Sequence, residues 1–350
     1  MTEDAFRTYM PAALAENVAA VFAGAGAPEN VASLVAGLLV KSEQIGHPSH
    51  GVLRVQEYLR RIDEGRLVPD ATGSIVRETA TSTLIDGGCG FGQVTAALAT
   101  ERAIERATET GVAAAGAYHI NHVGRLGDYT EMAASAGLIA FAFVGGTPTG
   151  MRGNVAPFGG REAVWGTNPM AIAIPGEDRM FSLDFATSVI AAGKAMAARA
   201  RETLLDDDHL LDRDGRPSRD PEVLFDGGSI RPFGGHKGYG LAFAVELLAG
   251  ALIGALAPEL GAGEMHNGML LLALDPKSFG SADAFRRSVG SVIDRVKACP
   301  PAEGFEEVLY PGEPEQRAGV RSDTEGVRIP VTVVEVLGGL SDRLGVDVRW

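Results

Sequence analysis

Nine residues, Gly46-His47-Pro48-Ser49-His50-Gly51-Val52-Leu53-Arg54, hold two imidazoles, a hydroxyl and a guanidinium. A guanidinium fork grips a carboxylate at two points. An imidazolium beside it gives a proton to a developing alkoxide near neutral pH. A helix starting near Gly51 would put Ser49 or His50 at its N-terminal end and Arg54 one turn on, beside His50. A capped helix with a solvated arginine fits the same residues. His119 and His122 repeat the i,i+3 spacing of His47 and His50. Zinc uses such spacing when a third or fourth ligand joins, which opens the alternative of a metal-dependent hydrolase. No HExxH or CxxC accompanies either pair, and His119 falls at a predicted strand end, so no metal ligand is assigned.

Two glycine-rich segments open predicted helices. GGCGFGQ, at 87–93, follows a strand as a dinucleotide loop does. Its spacing is Gly88-x-Gly90-x-Gly92, not G-x-G-x-x-G, and no acid follows at the expected strand end, so a turn is expected. GGHKGYG, at 234–240, carries His236 and Lys237 into a long apolar helix. Free N–H groups, the helix dipole and a lysine together suit a pyrophosphate or another anion. A helix entry merely lined with glycine fits equally. Asp184 closes the strand MFSLDF, where an acid holds ribose hydroxyls, orients a catalytic group or caps a helix. In GTNP, 166–169, the Thr167 and Asn168 side chains can bond locally or to a ligand.

These groups need elements to position them. Residues 3–23 and 28–43 alternate at helical spacing and predict a helical hairpin, and a helix follows His50 as far as Gly65. Two short strands fill 74–87, a helix 94–111, a strand VAAAGAYH, a helix near 124–136 and a strand 138–144. MAIAIP and MFSLDF are strands, and a helix near 187–201 precedes an Asp-rich loop, 205–236. Residues 239–256, apolar nearly all round, predict a buried or interface helix. GMLLLALD is a central strand, 281–297 an amphipathic helix, 299–327 a surface wrap and 330–344 the last helix. Alternation of strand and helix makes the fold class α/β.

Composition narrows the function. The 350 residues carry a net charge of −14, which disfavours a nucleic-acid binder. Two cysteines cannot build a disulfide framework and fit a reducing cytoplasm. The first residues begin with acids and lack an apolar core before a cleavage site, so no secretory signal is read. No apolar run reaches the length of a membrane span.

Seven segments in order resemble the malate/L-lactate dehydrogenase-like oxidoreductases, a family separate from the Rossmann-type enzymes. They are SHGVLR (49–54), NHVGRLGDY (121–129), APFGGRE (156–162), GTNP (166–169), LDFATS (183–188), GGHKGYGLA (234–242) and YPGE (310–313). The HVGRLG, DFATSVIAAGK and GHKGYGLA forms look most like the hydroxycarboxylate dehydrogenase B branch. The resemblance implies NAD- or NADP-dependent hydride transfer between a 2-hydroxy acid and a 2-oxo acid, in a homodimer. It implies a non-Rossmann mixed-sheet domain over 73–299 and a helical domain from 1–72 plus 300–350. Carried over residue by residue, it makes His50 the acid/base, with His122 as rival and cofactor neighbour. Ser49, Arg54 and Thr167 would hold substrate, Arg54 on its carboxylate. Asp184, Phe185, Ala186, Thr187 and Ser188 would meet the dinucleotide, as would His236, Lys237, Gly312 and Glu313. Two departures stand out: Pro48 replaces an aspartate found in many relatives, and the loop 145–154 is long and glycine-rich. A catalytically silent, ligand-binding member is a further alternative, against which the intact Ser49, His50 and Arg54 set argues.

Overall fold

Proline at a first helical position starts α1 (Pro11–Gly24), where its missing N–H costs nothing. The computed structural model describes residues 5–147, 152–200, 202–256 and 267–350. Phe6–Tyr9, expected to be helical, forms strand β1 instead. It pairs antiparallel with β12 (Val327–Pro330) from the far end of the chain, and that pairing overrides local helical spacing. Helices α2 (Glu29–Gln44) and α3 (Arg54–Asp63) come next. Leu14, Val18 and Phe22 of α1, Leu39 of α2 and Tyr58 of α3 share one buried core with Val327, Ile329 and Leu337. Leu337 belongs to α10 (Val331–Leu344), so the first and last segments bury each other's apolar faces.

The main sheet contains β2 (Ser74–Glu78), β3 (Ser82–Asp86), β4 (Val112–Ile120) and β5 (Ile139–Gly145). It is completed by β6 (Met170–Ile174), β7 (Phe181–Phe185) and β11 (Asn267–Leu274). The order is β2-β3-β4-β11-β5-β6-β7. Within it β3 and β4 run parallel, and every other neighbouring pair is antiparallel. A Rossmann sheet is mostly parallel, so the mixed sheet agrees with a non-Rossmann frame. The GGCGFGQ segment is a turn, with Gly88 at φ 57 and Cys89 at φ 60, leading into α4 (Gly92–Thr110). Ala96, Ala99, Ala103 and Ala107 of α4 lie in one core with Ala113, Ala115 and Ala117 of β4. Small side chains bring helix and sheet close, and α5 (Gly127–Ser135) borders the same core through Tyr129.

Helix α6 (Ala192–Ala200) is followed by a small three-stranded sheet of β8 (Leu210–Leu211), β9 (Pro217–Ser218) and β10 (Ser229–Ile230). The segment 205–236 is thus not simply a loop: Leu210 and Ile230 are buried with Val155 and Trp165. The apolar run begins as α7 (His236–Val245) and continues as a π-helical turn, Glu246–Leu252. It is not buried all round, for Phe243, Leu247 and Leu252 are 44%, 51% and 67% exposed. Helix α8 (Ala282–Lys297) is capped by the Ser281 side chain. Helix α9 (Glu313–Glu325) occupies part of the expected surface wrap, started by Pro314 in its first turn. Part of the expected loop 145–154, residues 148–151, lies outside the described residues, as does residue 201 of the helix expected there. No helix among the described residues is long and apolar enough to cross a membrane.

Candidate active site

Pro48, Ser49 and His50 form a short 3-10 turn between α2 and α3. Glu43 of α2 pins the start of the next segment, its Oε1 accepting the Val52 N–H at 2.9 Å. A Cβ at Gly51 would overlap that Oε1, so only glycine lets the carboxyl lie against the backbone. Burial lifts the Glu43 carboxyl to about 7, against the Val52 hydrogen bond that lowers it. Ser49 Oγ lies 3.1 Å from His50 Nδ1. Helix α3 starts at Arg54 rather than Gly51, and no side chain caps it. Arg54 Nε donates to the Ser49 carbonyl at 2.7 Å, and Nη1 donates to Glu57 Oε2 at 2.6 Å. The guanidinium is therefore held beside the turn by two partners.

His122 arrives on the connection from β4 to α5. Its ring stacks on His50, with centroids 5.5 Å apart and planes at 17°. The Tyr58 hydroxyl lies 2.7 Å from His122 Nδ1, and the Gly124 N–H donates to the same nitrogen at 3.3 Å. Gln93 Nε2 in turn donates to the Tyr58 oxygen at 2.8 Å. Desolvation lowers His50 to about 4, helped by Arg54, His47 and Arg125. Burial also holds His122 well below the usual imidazole value, with Arg54 and His50 adding to it. Both rings are neutral at physiological pH.

Beyond His122 on that connection, Arg125 is 5% exposed and donates to Asp128 at 2.8 Å and Glu131 at 2.7 Å. Lys41 of α2 meets the same two acids at 2.8 and 3.0 Å. Asp184 Oδ2 accepts the Gly127 N–H at 2.7 Å, so the strand-end acid sits at the start of α5. Burial raises its pKa, while that N–H and Arg125 lower it. Of the residues named from sequence, the fold therefore gathers Ser49, His50, Arg54 and His122, and links Asp184 to them through Arg125.

A second group gathers around the start of α7. Thr187 N–H and Oγ1 donate to the Thr167 carbonyl at 3.0 and 2.9 Å. The Ser188 hydroxyl donates to the Ile190 carbonyl, so both hydroxyls are spent on backbone. Phe185 meets Phe233 edge to face at 5.6 Å, and the next residue, Ala186, is half-buried. The Phe233 N–H donates to the Thr187 carbonyl at 3.1 Å, and a Cβ at Gly238 would lie 2.8 Å from that carbonyl. These contacts put the start of α7 against the end of β7. His236 and Lys237 are exposed there, after Gly234 and Gly235 at φ 55 and 63. An exposed lysine and imidazole, a helix N-terminus and glycines without side chains fit a dinucleotide pyrophosphate. Gly312, at φ 93, rests on Ser182 of β7, where its Cβ would meet Ser182 Cβ at 3.0 Å. The Glu313 carboxylate turns away to Lys297 and Arg317, at 2.9 and 2.6 Å.

The two histidine pairs do not form one centre. His47 meets Glu315 at 3.2 Å and His119 meets Asp86 at 3.1 Å. Among the described residues no three His, Cys, Asp or Glu side chains converge as a metal requires. Sequence reasoning missed Tyr58, Gln93 and Arg125. Arg125 stood inside the quoted NHVGRLGDY segment, and Tyr58 lies one turn beyond Arg54 in the same helix. It also missed Glu246, the one acid in the run 239–256. Glu246 is buried and accepts from Thr147 N–H at 2.7 Å and Asn168 Nδ2 at 2.8 Å, which shapes the Thr167 loop.

The sequence profile described as malate/L-lactate dehydrogenase matches residues 10–338. The L-sulfolactate dehydrogenase of Methanocaldococcus jannaschii is 36% identical over 329 residues, 93% of each chain. Its solved structure superposes with a TM-score of 0.87 at 34% identity, covering 97% of this chain and 98% of the other. The NAD(+)-named ureidoglycolate dehydrogenase of Escherichia coli K12 is 33% identical over 329 residues, 91% of each chain. Hydroxycarboxylate dehydrogenase B of the same strain is 33% identical over 318 residues, 89% of this chain and 87% of its own.

Proposed function

Because the chain belongs to the malate/L-lactate dehydrogenase family, whose members use NAD or NADP, we propose that it interconverts a 2-hydroxy acid and a 2-oxo acid. His50 transfers the proton and Arg54 holds the carboxylate. One observation carries this reading: two neutral, stacked imidazoles beside a guanidinium that keeps N–H groups to spare. Of the five guanidinium donors, two are engaged, and the rest suit a carboxylate.

When bound, the nicotinamide accepts or supplies the hydride. The start of α7, with His236 and Lys237, suits its pyrophosphate, and Thr187, just past β7, lies against that start, while Asp184 turns to α5. In the oxidative direction neutral His50 takes the hydroxyl proton. Ser49 Oγ, bonded to Nδ1, leaves the other ring nitrogen for that transfer. His122, deeper and held by Tyr58 and Gly124, keeps the substrate oxygen in place. In the reductive direction His50 returns the proton to the alkoxide. The exposed apolar face of Phe243, Leu247 and Leu252 suits a homodimer, and the whole reads as a cytoplasmic enzyme. The core shared by first and last helices supports a helical unit of 1–72 plus 300–350 against the sheet unit of 73–299.

The test is turnover on malate, lactate, sulfolactate and ureidoglycolate with NAD and NADP in turn. Turnover on at least one, lost in His50→Ala with nicotinamide binding retained, supports the reading. Nicotinamide binding without turnover on any 2-hydroxy or 2-oxo acid would overturn it.

A further inference from the structure

One polarity satisfies all three hydrogen bonds behind His122 at once. A backbone N–H can only donate, and Gly124 aims its N–H at His122 Nδ1. That nitrogen therefore accepts in this arrangement, although a bond of 3.3 Å is too long to hold the tautomer by itself. The Tyr58 hydroxyl at 2.7 Å has a single proton, and it goes to the same nitrogen. The Tyr58 oxygen is then left to accept, and Gln93 Nε2 supplies the donor at 2.8 Å. Turning the Gln93 amide round would set two acceptors face to face and bury an NH2 group. As placed, the unpartnered atom is the Gln93 carbonyl oxygen, the less costly orphan. Gln93 is 0% and Tyr58 1% exposed, so solvent does not substitute for either partner. The Phe22 and Phe91 rings pack on Tyr58 at 6.2 and 5.9 Å and fix its direction.

We propose that Gln93 is a positioning residue which, through Tyr58, locks His122 as the tautomer protonated on Nε2. The ring then presents an N–H donor, not a lone pair, on the edge away from Tyr58. Such a ring holds a substrate oxygen and cannot take its proton, which leaves proton transfer to His50. The functional half of this inference rests on the roles proposed for the two histidines; the tautomer itself does not.

The test is nitrogen NMR of the full-length protein labelled with 15N-histidine, with His122 assigned from the signals lost in His122→Gln. His122 protonated on Nε2 alone is expected in the native protein; a proton on Nδ1 overturns the proposal outright. Gln93→Leu frees the Tyr58 hydroxyl to turn, so a mixture of tautomers and about a tenfold fall in kcat are expected. KM and the thermal midpoint should change little. A Gln93→Leu protein whose His122 stays wholly on Nε2 removes Gln93 from the relay. A shifted tautomer with unchanged kcat leaves the relay standing and overturns the donor role of His122 instead. Should Gln93→Leu fail to fold, Tyr58→Phe carries the same expectation, and the native spectrum decides the tautomer by itself.

Discussion

His122, half-buried, and Arg125, buried, stand three residues apart on one connection and meet opposite fates. His122 has only uncharged hydrogen-bond partners, Tyr58 and Gly124, and gives up its charge. Arg125 meets Asp128 and Glu131, keeps its charge and titrates even higher than a free guanidinium, those acids outweighing burial. Burial penalises the charged form in both places. What differs is the supply of opposite charge. Lys41 and Arg125 balance Asp128 and Glu131 in a lattice that ties α2 to α5 and, through Ser182, to β7. Among the described residues no carboxylate bonds to either ring of the histidine pair, and neutrality at pH 7 is what a base needs. One connection thus contributes both to a charged brace and to an uncharged pair of imidazoles.

The largest expected effect lies in the brace. Arg125→Ala leaves buried Asp128 and half-buried Glu131 with Lys41 as their one cation and should cost about 3–5 kcal/mol in urea unfolding. Pairing it with Asp128→Leu should recover part of that loss. Equal loss in the single and double variants would show that the lattice is not what holds these elements. In the pocket, His50→Ala should lower turnover at least about a hundredfold, near 2.7 kcal/mol, with folding stability unchanged. A large change in unfolding instead of turnover would make the two regions alike.

Glu43 bridges the two behaviours, being a buried acid without a cation. Its folded pKa of about 7 lies above the ordinary carboxylate value of 4.5. Between those values the folded chain holds a proton that the unfolded chain has lost. Its contribution is therefore full below about 4.5 and lost as pH climbs through 7. Glu43→Gln should match the native protein at pH 4.5 and exceed it by about 3 kcal/mol at pH 8 in urea unfolding. A constant offset between the two would rule out the buried acid as the cause. Arg54→Lys should raise KM for the acid about tenfold, or ~1.4 kcal/mol, because a point charge replaces a fork. The smallest effect is in pH profiles. His50 is lowered to about 4, so its neutral form is favoured, and it stops being a base only as pH falls through that value. In the oxidative direction kcat/KM should hold level below pH 6 and fall near 4; a limb at 6.5 would place the proton elsewhere.

The sequence carried most of the elements of the central sheet, because their periodicities are local. Residues 94–111 and 267–274 needed only apolar spacing and bounding glycines or polar ends to declare a helix and a strand. β1 could not be read this way, since its partner lies at Val327–Pro330 and no window spans both. The small sheet in 205–236 escaped for another reason: its strands are two residues long, and Leu210 and Ile230 are isolated among acids and glycines. At the candidate site, the segments pointing to His50 and Arg54 were visible in nine contiguous residues. Their surroundings were not, because Tyr58 reaches His122 from α3 and Gln93 reaches Tyr58 from α4, across long separations in the chain. A lone glutamine in the first turn of an alanine-rich helix has no local feature that announces a role. Glu246 was the exception: a single acid in an apolar run is a visible signal of a buried polar junction.

The pairing of β1 with β12, Phe6 opposite Pro330, has a consequence for synthesis. A chain leaving the ribosome presents its first strand and helices long before Val327, Ile329 and Leu337 exist to cover them. The seven-stranded sheet has all its strands once residue 274 has emerged, so it closes first. Meanwhile Leu14, Val18 and Phe22 wait without the late half of their core. Nascent chains with such uncovered surface are natural clients of chaperones. The helical face holding the Ser49-His50 turn is completed only when the last segment is made, so the site proposed there gains its full support at the end of translation.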